Sequence, residues 1–259
     1  MNLILATNNK HKAVEIKEIL RDKFSRIYTL KEAGINVDPE ENGASFFENA
    51  LIKAKAVFGE LSALLTDEKT DKKTDGGEKN YSLTYAERLQ KDISLPINSE
   101  ISKKINAGDF PKISGDLPFL KAPDAKTLKN TAVLADDSGL CVDFLDGAPG
   151  IFSARYAGEH CSYEDNNKKL LTALKNAKNR GARFVCAVVL LFSDGSYLVG
   201  NGSSEGEILR ESSGENGFGY DPIFYSHDLK KTFSEADGEE KNAVSHRGRA
   251  LADLLNKLN

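Results

Sequence analysis

Phe184-Val185-Cys186-Ala187-Val188-Val189-Leu190-Leu191-Phe192, then Ser193-Asp194-Gly195, then Ser196-Tyr197-Leu198-Val199-Gly200, is the stretch that decides the fold. Two apolar runs flank an Asp-Gly turn, which predicts two long antiparallel strands joined as a hairpin. Upstream, residues 166–178 read as helical and Ala132-Val133-Leu134-Ala135 as a buried strand. At the N-terminus Leu3-Ile4-Leu5-Ala6 forms a strand and Thr7-Asn8-Asn9-Lys10-His11-Lys12 a polar loop. Ala13, Ile16, Ile19 and Leu20 then recur at helical spacing. Ser45-Phe46-Phe47-Glu48 has the form of a capping box, and Phe46, Ala50, Lys53, Ala54, Val57 and Phe58 continue as a second helix. Helices alternating with strands, plus a long hairpin, predict an α/β protein. Its sheet is expected to be mixed and strongly bent, with flanking helices and two lobes around a central cleft.

With 259 residues, 40% apolar and 29% charged, the chain can bury a real core. It reads as one domain over residues 1–259, interrupted by an insertion at about 61–131. There charges are dense and balanced, Gly76-Gly77 interrupts the chain, and four of the seven prolines fall (Pro96, Pro111, Pro118, Pro123). Residues 66–80 are polar enough to be flexible. Tyr85, Leu89 and Ile93, then Ile97, Ile101 and Ile105, recur every four residues as a short helical pair would. No catalytic role is expected of the insertion.

A net charge of -4 argues against nonspecific nucleic-acid binding, while local basic clusters suit a small polyanion. Cys141, Cys161 and Cys186 have no CxxC spacing and read as free thiols in a reducing cytoplasm. The N-terminus lacks a signal-peptide pattern, and no run is long enough to span a membrane.

Asp136-Asp137-Ser138-Gly139 ends an apolar run. Adjacent ionised carboxylates there lose hydration and repel each other unless a cation or donors compensate. Gly139 permits a tight turn that would aim a carboxylate into the mouth of the sheet; an Asx turn or helix cap explains the same residues. Glu40-Glu41-Asn42-Gly43 sets carboxylates in a turn, on the surface or facing a metal. The loop at residues 7–12 lies at a helix N-terminus, which favours phosphate, and Lys10 and Lys12 add charge.

Gly214-Glu215-Asn216-Gly217 precedes Phe218-Gly219-Tyr220-Asp221-Pro222, an aromatic able to stack on a base beside an acid able to accept from one. The same residues fit a glycine-rich loop with Phe218 as core filler. Lys241, His246, Arg247 and Arg249 form a basic run, or else a solvated helix start capped by Ser245. His11, His160 and His227 have no metal-ligand spacing, and the GxGxxG, P-loop and GxSxG patterns are absent. Acids, an aromatic and a basic cluster are together what a magnesium-dependent enzyme acting on a nucleoside triphosphate needs.

Taken jointly, six blocks resemble the non-canonical purine nucleoside triphosphate pyrophosphatases, the inosine triphosphate pyrophosphatase (Ham1-like) family. They are residues 7–12, 41–50, 135–140, 147–158, 217–222 and 239–249, in family order, and they cover nearly everything outside the insertion. The resemblance implies hydrolysis of ITP, dITP and XTP to the monophosphate and pyrophosphate, with Mg2+, in a homodimer. It implies that Asp137 is the general base and, with Glu41, holds the metal, and that Lys53 completes the catalytic set. Thr7, Asn8, Asn9, Lys10, His11 and Lys12 would line the triphosphate channel, with Ser138 nearby. Phe218 would stack on the purine within its Gly219-Tyr220 turn, while Asp221, Lys241, His246 and Arg247 contact the base. A 6-oxo base accepts hydrogen bonds from His246 or Arg247, whereas the 6-amino group of adenine would present donors to donors. The departure from the family pattern is the insertion: Lys53 and Asp137 are 84 positions apart. A pyrophosphatase for modified pyrimidine nucleotides and a nucleotide-binding regulator without turnover are the rival readings.

Overall fold

The hairpin is the middle of a seven-stranded mixed sheet in the computed structural model, which describes residues 1–70 and 130–258. The strands are β1 (Asn2–Leu5), β2 (Arg26–Thr29), β3 (Thr131–Val142), β4 (Gly181–Leu191), β5 (Tyr197–Ile208), β6 (Phe224–Ser226) and β7 (Lys231–Thr232). Their order is β2-β1-β3-β4-β5-β6-β7. β1 runs parallel to both neighbours, and every pair from β3 onward is antiparallel. The helices are α1 (Lys10–Leu20), α2 (Phe46–Thr70), α3 (Tyr163–Ala173), α4 (Gly238–Val244) and α5 (His246–Leu258).

The strands read as unbroken apolar runs because the centre of the sheet is covered on both faces. On one side Val133, Ala135, Val185, Ala187 and Val189 pack with Phe46, Ala50, Ala54 and Phe58 of α2. On the other, Leu134, Val188 and Leu190 pack with Ile16 and Leu20 of α1 and Leu251 and Leu254 of α5. A third cluster gathers Leu170 of α3, Phe184, Phe224 and Phe233. α5 lies close on β5 because Gly200 and Gly202 have no Cβ: one built there would meet the carbonyls of Ala250 and His246.

Several sequence expectations shift. The hairpin turn is a five-residue loop, closed by Phe192 N–H donating to Ser196 O (2.9 Å) with Gly195 at φ 89°. α3 begins at Tyr163 and ends at Ala173, not at residues 166–178, because Ser162 and Asp165 form a reciprocal capping box. In the box at α2, Ser45 Oγ accepts from Glu48 N–H (3.2 Å), while Glu48 turns back to Ala44 N–H, one residue before Ser45. α2 also runs past Leu61 to Thr70, so the first part of the expected insertion is regular helix. The flexible stretch at 71–80 and the helical pair at 85–105 lie outside the described residues. Among the described residues, no helix is long and apolar enough to cross a membrane.

Candidate active site

β3 does not end at its aspartates; Asp136 and Asp137 sit in mid-strand, opposite Val188 and Ala187 of β4. Alternation sends the two side chains to opposite faces, so the two carboxylates cannot grip one cation between them. Gly139 is likewise inside the strand. It serves close approach rather than a turn, since a Cβ there would strike the Gly150 carbonyl, Ser153 Oγ and the Phe46 ring.

Asp137 faces α2. Lys53 Nζ donates to its Oδ1 (3.0 Å) and Asn49 Nδ2 to its Oδ2 (3.2 Å). The same Lys53 ammonium lies 3.3 Å from Glu41 Oε2. Burial would lower the Lys53 pKa, but Asp137, Glu41 and Asp136 outweigh it and raise the pKa. Burial raises that of Glu41, opposed by Lys53 and assisted by the Asp137 charge. Asn49 Oδ1 accepts from Gly43 N–H (2.9 Å), which ties the Glu41 turn to Asp137.

Asp136 faces α1 and α5. Its Oδ2 accepts from Lys12 Nζ (2.9 Å) and from Nε and Nη2 of Arg247 (3.2 and 3.1 Å), and these cations hold its pKa far below the usual carboxylate range despite complete burial. Arg247 also donates to Ser138 Oγ (3.0 Å) and to Glu15 Oε2 (2.5 Å). Four of its five N–H donors are thereby committed within the protein. Glu15 Oε1 accepts from Lys241 (2.8 Å), which also bonds Asp221 Oδ2 (2.7 Å). Burial raises the Asp221 pKa, whereas Arg247 and Lys241 overcome burial at Glu15 and lower its pKa. His246 is buried, stacked on Phe184 at 4.7 Å, with Nδ1 lacking a partner among the described residues. Burial, then Arg247 and Lys241, push its pKa well below 6.5, so the ring is neutral at pH 7. Lys241, His246 and Arg247 are thus buried rather than solvated, while Ser245 does cap the start of α5, its Oγ accepting from Gly248 N–H (3.1 Å), and also closes α4.

The two clusters meet in one cavity of about 310 Å³, within the range of small-molecule sites. Its wall includes Thr7, Asn8, Asn9, Lys12, Glu41 and Lys53 on one side. It also includes Asp137, Ser138, Phe218, Gly219, Tyr220, Asp221, Lys241, His246 and Arg247, together with Arg155. Phe218 is half-buried, with Lys241 Nζ 4.7 Å from its ring centre and His11 stacked on it at 5.2 Å. Asp221 Oδ2 accepts from Phe218 N–H (2.8 Å) and fixes that turn. Asn9 caps α1 by accepting from the N–H groups of His11 and Lys12, so two of the donors expected to greet a phosphate are already used.

A sequence model of the Ham1 family matches residues 3–70 and 108–257. The chain belongs to the Ham1 family. The dITP/XTP pyrophosphatase of Clostridium perfringens is 41% identical over 257 residues, covering 98% of this chain and 96% of that protein. The protein of the same name from Treponema denticola is 38% identical with the same coverage. The structure of a HAM1 protein from Coxiella burnetii superposes with a TM-score of 0.65 at 31% identity, covering 100% of this chain and 98% of that one. The Staphylococcus aureus Ham1 protein does so with a TM-score of 0.65 at 32% identity, with the same coverage.

Of the residues expected to form the Ham1 site, all but Lys10 and His11 line the cavity; Lys10 is exposed and His11 covers the Phe218 ring at the rim. Among the described residues no group of three or more His, Cys, Asp or Glu gathers as a metal cage. Asp137 and Glu41 do converge within reach of one cation, at present the Lys53 ammonium. One or two carboxylates completed by water and substrate phosphate is the donor set Mg2+ takes. The sequence reading missed Asn49, which bonds the central carboxylate, and Glu15, which bridges the two basic side chains. Glu48 and Asn49 stood in a quoted block, but Glu15 carried no signal: an acid on a helix is ordinary until its partners arrive from α4 and α5. All three cysteines are free, and burial pushes the thiols of Cys141 and Cys186 up to about 11 and about 12.

Proposed function

We propose that this cleft hydrolyses the non-canonical purine nucleoside triphosphates ITP, dITP and XTP to the nucleoside monophosphate and pyrophosphate, so cleansing the nucleotide pool. The observation that carries the reading is Asp137, a buried carboxylate held by Lys53 and Asn49 in the wall of a cavity that also presents Phe218 and neutral His246. In this reading Asp137 takes the proton of the attacking water, with Lys53 orienting the carboxylate. Asp137 and Glu41 would hold Mg2+, which when bound neutralises charge on the phosphate oxygens. Lys12 and the 7–9 turn receive the phosphates, and Phe218 stacks on the purine once His11 yields that face.

Neutral His246 can donate to a 6-oxo group, and a 6-amino base offers no acceptor there. Arg247 contributes one remaining N–H and otherwise braces Asp136 and Ser138, so discrimination falls mainly on His246. The chain is proposed to act as a homodimer in the cytoplasm; its unpaired cysteines accord with a reducing compartment, and its net charge of -4 accords with a small-molecule rather than nucleic-acid partner.

Pyrophosphate release from ITP, dITP, XTP, dUTP, GTP and ATP, each with Mg2+ and with EDTA, tests the reading. Metal-dependent release confined mainly to the inosine and xanthosine nucleotides is expected. Preference for dUTP, or binding without release, overturns it.

A further inference from the structure

The cavity wall holds five cationic side chains in all among the described residues, and four of them are neutralised from within. Lys12 is paired to Asp136, Lys53 to Asp137 and Glu41, Lys241 to Asp221 and Glu15, and Arg247 to Asp136 and Glu15, at 2.5 to 3.3 Å. The fifth, Arg155, is different. Its nearest carboxylate, Glu159, lies 3.9 Å away and is 78% exposed, an arrangement worth little in water. Its other polar contact is a long one, from Nη2 to the Glu41 carbonyl at 3.5 Å.

Arg155 is nevertheless firmly placed. It ends the short 3₁₀ segment Gly150–Arg155, which is pinned to β3 through Ser153: the hydroxyl donates to Gly150 O (2.6 Å) and accepts from Leu140 N–H (2.8 Å). The guanidinium rests over the Phe152 ring at 5.2 Å, and its side chain is 31% exposed. A pinned arginine with most of its fork unused, facing a cavity whose other cations are already balanced, is suited to an incoming polyanion.

We propose that Arg155 is a substrate-binding residue of this site, donating to the phosphate oxygens of the triphosphate tail. Which tail it serves rests on the pyrophosphatase reading above; that it binds a linear polyphosphate does not. A triphosphate brings several negative charges into a cavity whose own acids and bases nearly cancel, and Arg155 supplies the positive charge that those internal pairs do not.

The test compares the full chain with Arg155→Gln and Arg155→Lys by calorimetric binding of inorganic triphosphate and of IMP in magnesium buffer, alongside kcat/KM for ITP. For Arg155→Gln, triphosphate affinity and kcat/KM are expected to fall about 10-fold to 100-fold, the range for a lost charge-assisted hydrogen bond. IMP affinity should fall less, because IMP keeps only one of the three phosphates, and Arg155→Lys should lose less of the same quantities. Unchanged triphosphate affinity, equal losses for triphosphate and IMP, or no triphosphate binding by the wild type overturns the proposal. A wild type that binds triphosphate through Arg155 yet releases no pyrophosphate from ITP would instead fail the pyrophosphatase reading alone. If Arg155→Gln does not fold, the Lys variant decides, and a wild-type affinity there overturns the proposal.

Discussion

Asp136 and Asp137 differ by one position and by everything that surrounds them. Asp137, between an ammonium and an amide at the cavity wall, is the base proposed above; Asp136, between Lys12 and Arg247, is their counter-ion. Asp137→Asn should therefore lower kcat for ITP by about 10²-fold to 10⁴-fold, while Lys53 keeps Glu41 as a partner and the melting temperature barely moves. A variant within a few-fold of wild-type kcat would remove Asp137 from the role of base. His246 makes a second prediction at this scale. Its native pKa lies well below the unfolded value near 6.5, through burial and the charges of Arg247, Lys241 and Lys12, with Asp136 opposing. Below that unfolded value the unfolded chain takes a proton the native chain refuses. Stability is thus full above about pH 6.5 and falls on acidification, by up to about 1.4 kcal/mol per pH unit. Urea midpoints at successive pH values read this, and His246→Gln should flatten the slope. Charge stranded in an apolar run made the Asp-Asp pair legible. The division of labour was not, because the adjacent sequence does not say what packs on each face.

Elements were legible where periodicity was strong and hidden where glycine has two uses. The 184–192 run and the Asp-Gly turn foretold β4 and β5, and helical spacing foretold α1 and α2. Gly139 was read as a turn because a missing Cβ and a permitted positive φ leave the same letter; only the neighbours on α2 and the Gly150 segment tell them apart. Gly202 shows the same use between β5 and α5, where a Cβ would meet the His246 carbonyl and the Ala250 N–H. Gly202→Ala should force α5 outward, costing about 1–3 kcal/mol in urea unfolding. It should also cut turnover, because α5 carries His246 and Arg247. Full stability with full activity in that variant would mean the helix does not seat as described.

At the scale of the whole molecule, the Ham1 model passes from residue 70 to residue 108. Replacing residues 71–107 by a short flexible linker should leave a folded enzyme with wild-type kcat/KM for ITP, since loop length alters closure entropy only slowly. Insoluble protein or lost turnover would assign those residues a part in the fold or the site. The cavity itself was legible as a set of motifs and illegible as a network, for its ion pairs join positions more than 200 apart: Glu15 to Lys241 and to Arg247. That separation sets a clock on biosynthesis. While the ribosome is still reading codons before 241, Glu15 has neither Lys241 nor Arg247 to meet and Asp136 has Lys12 alone, and a carboxylate buried without its counter-ion costs several kcal/mol. The pocket is therefore completed only once α4 and α5 have left the exit tunnel, and Glu15 stays without its two cavity partners until then.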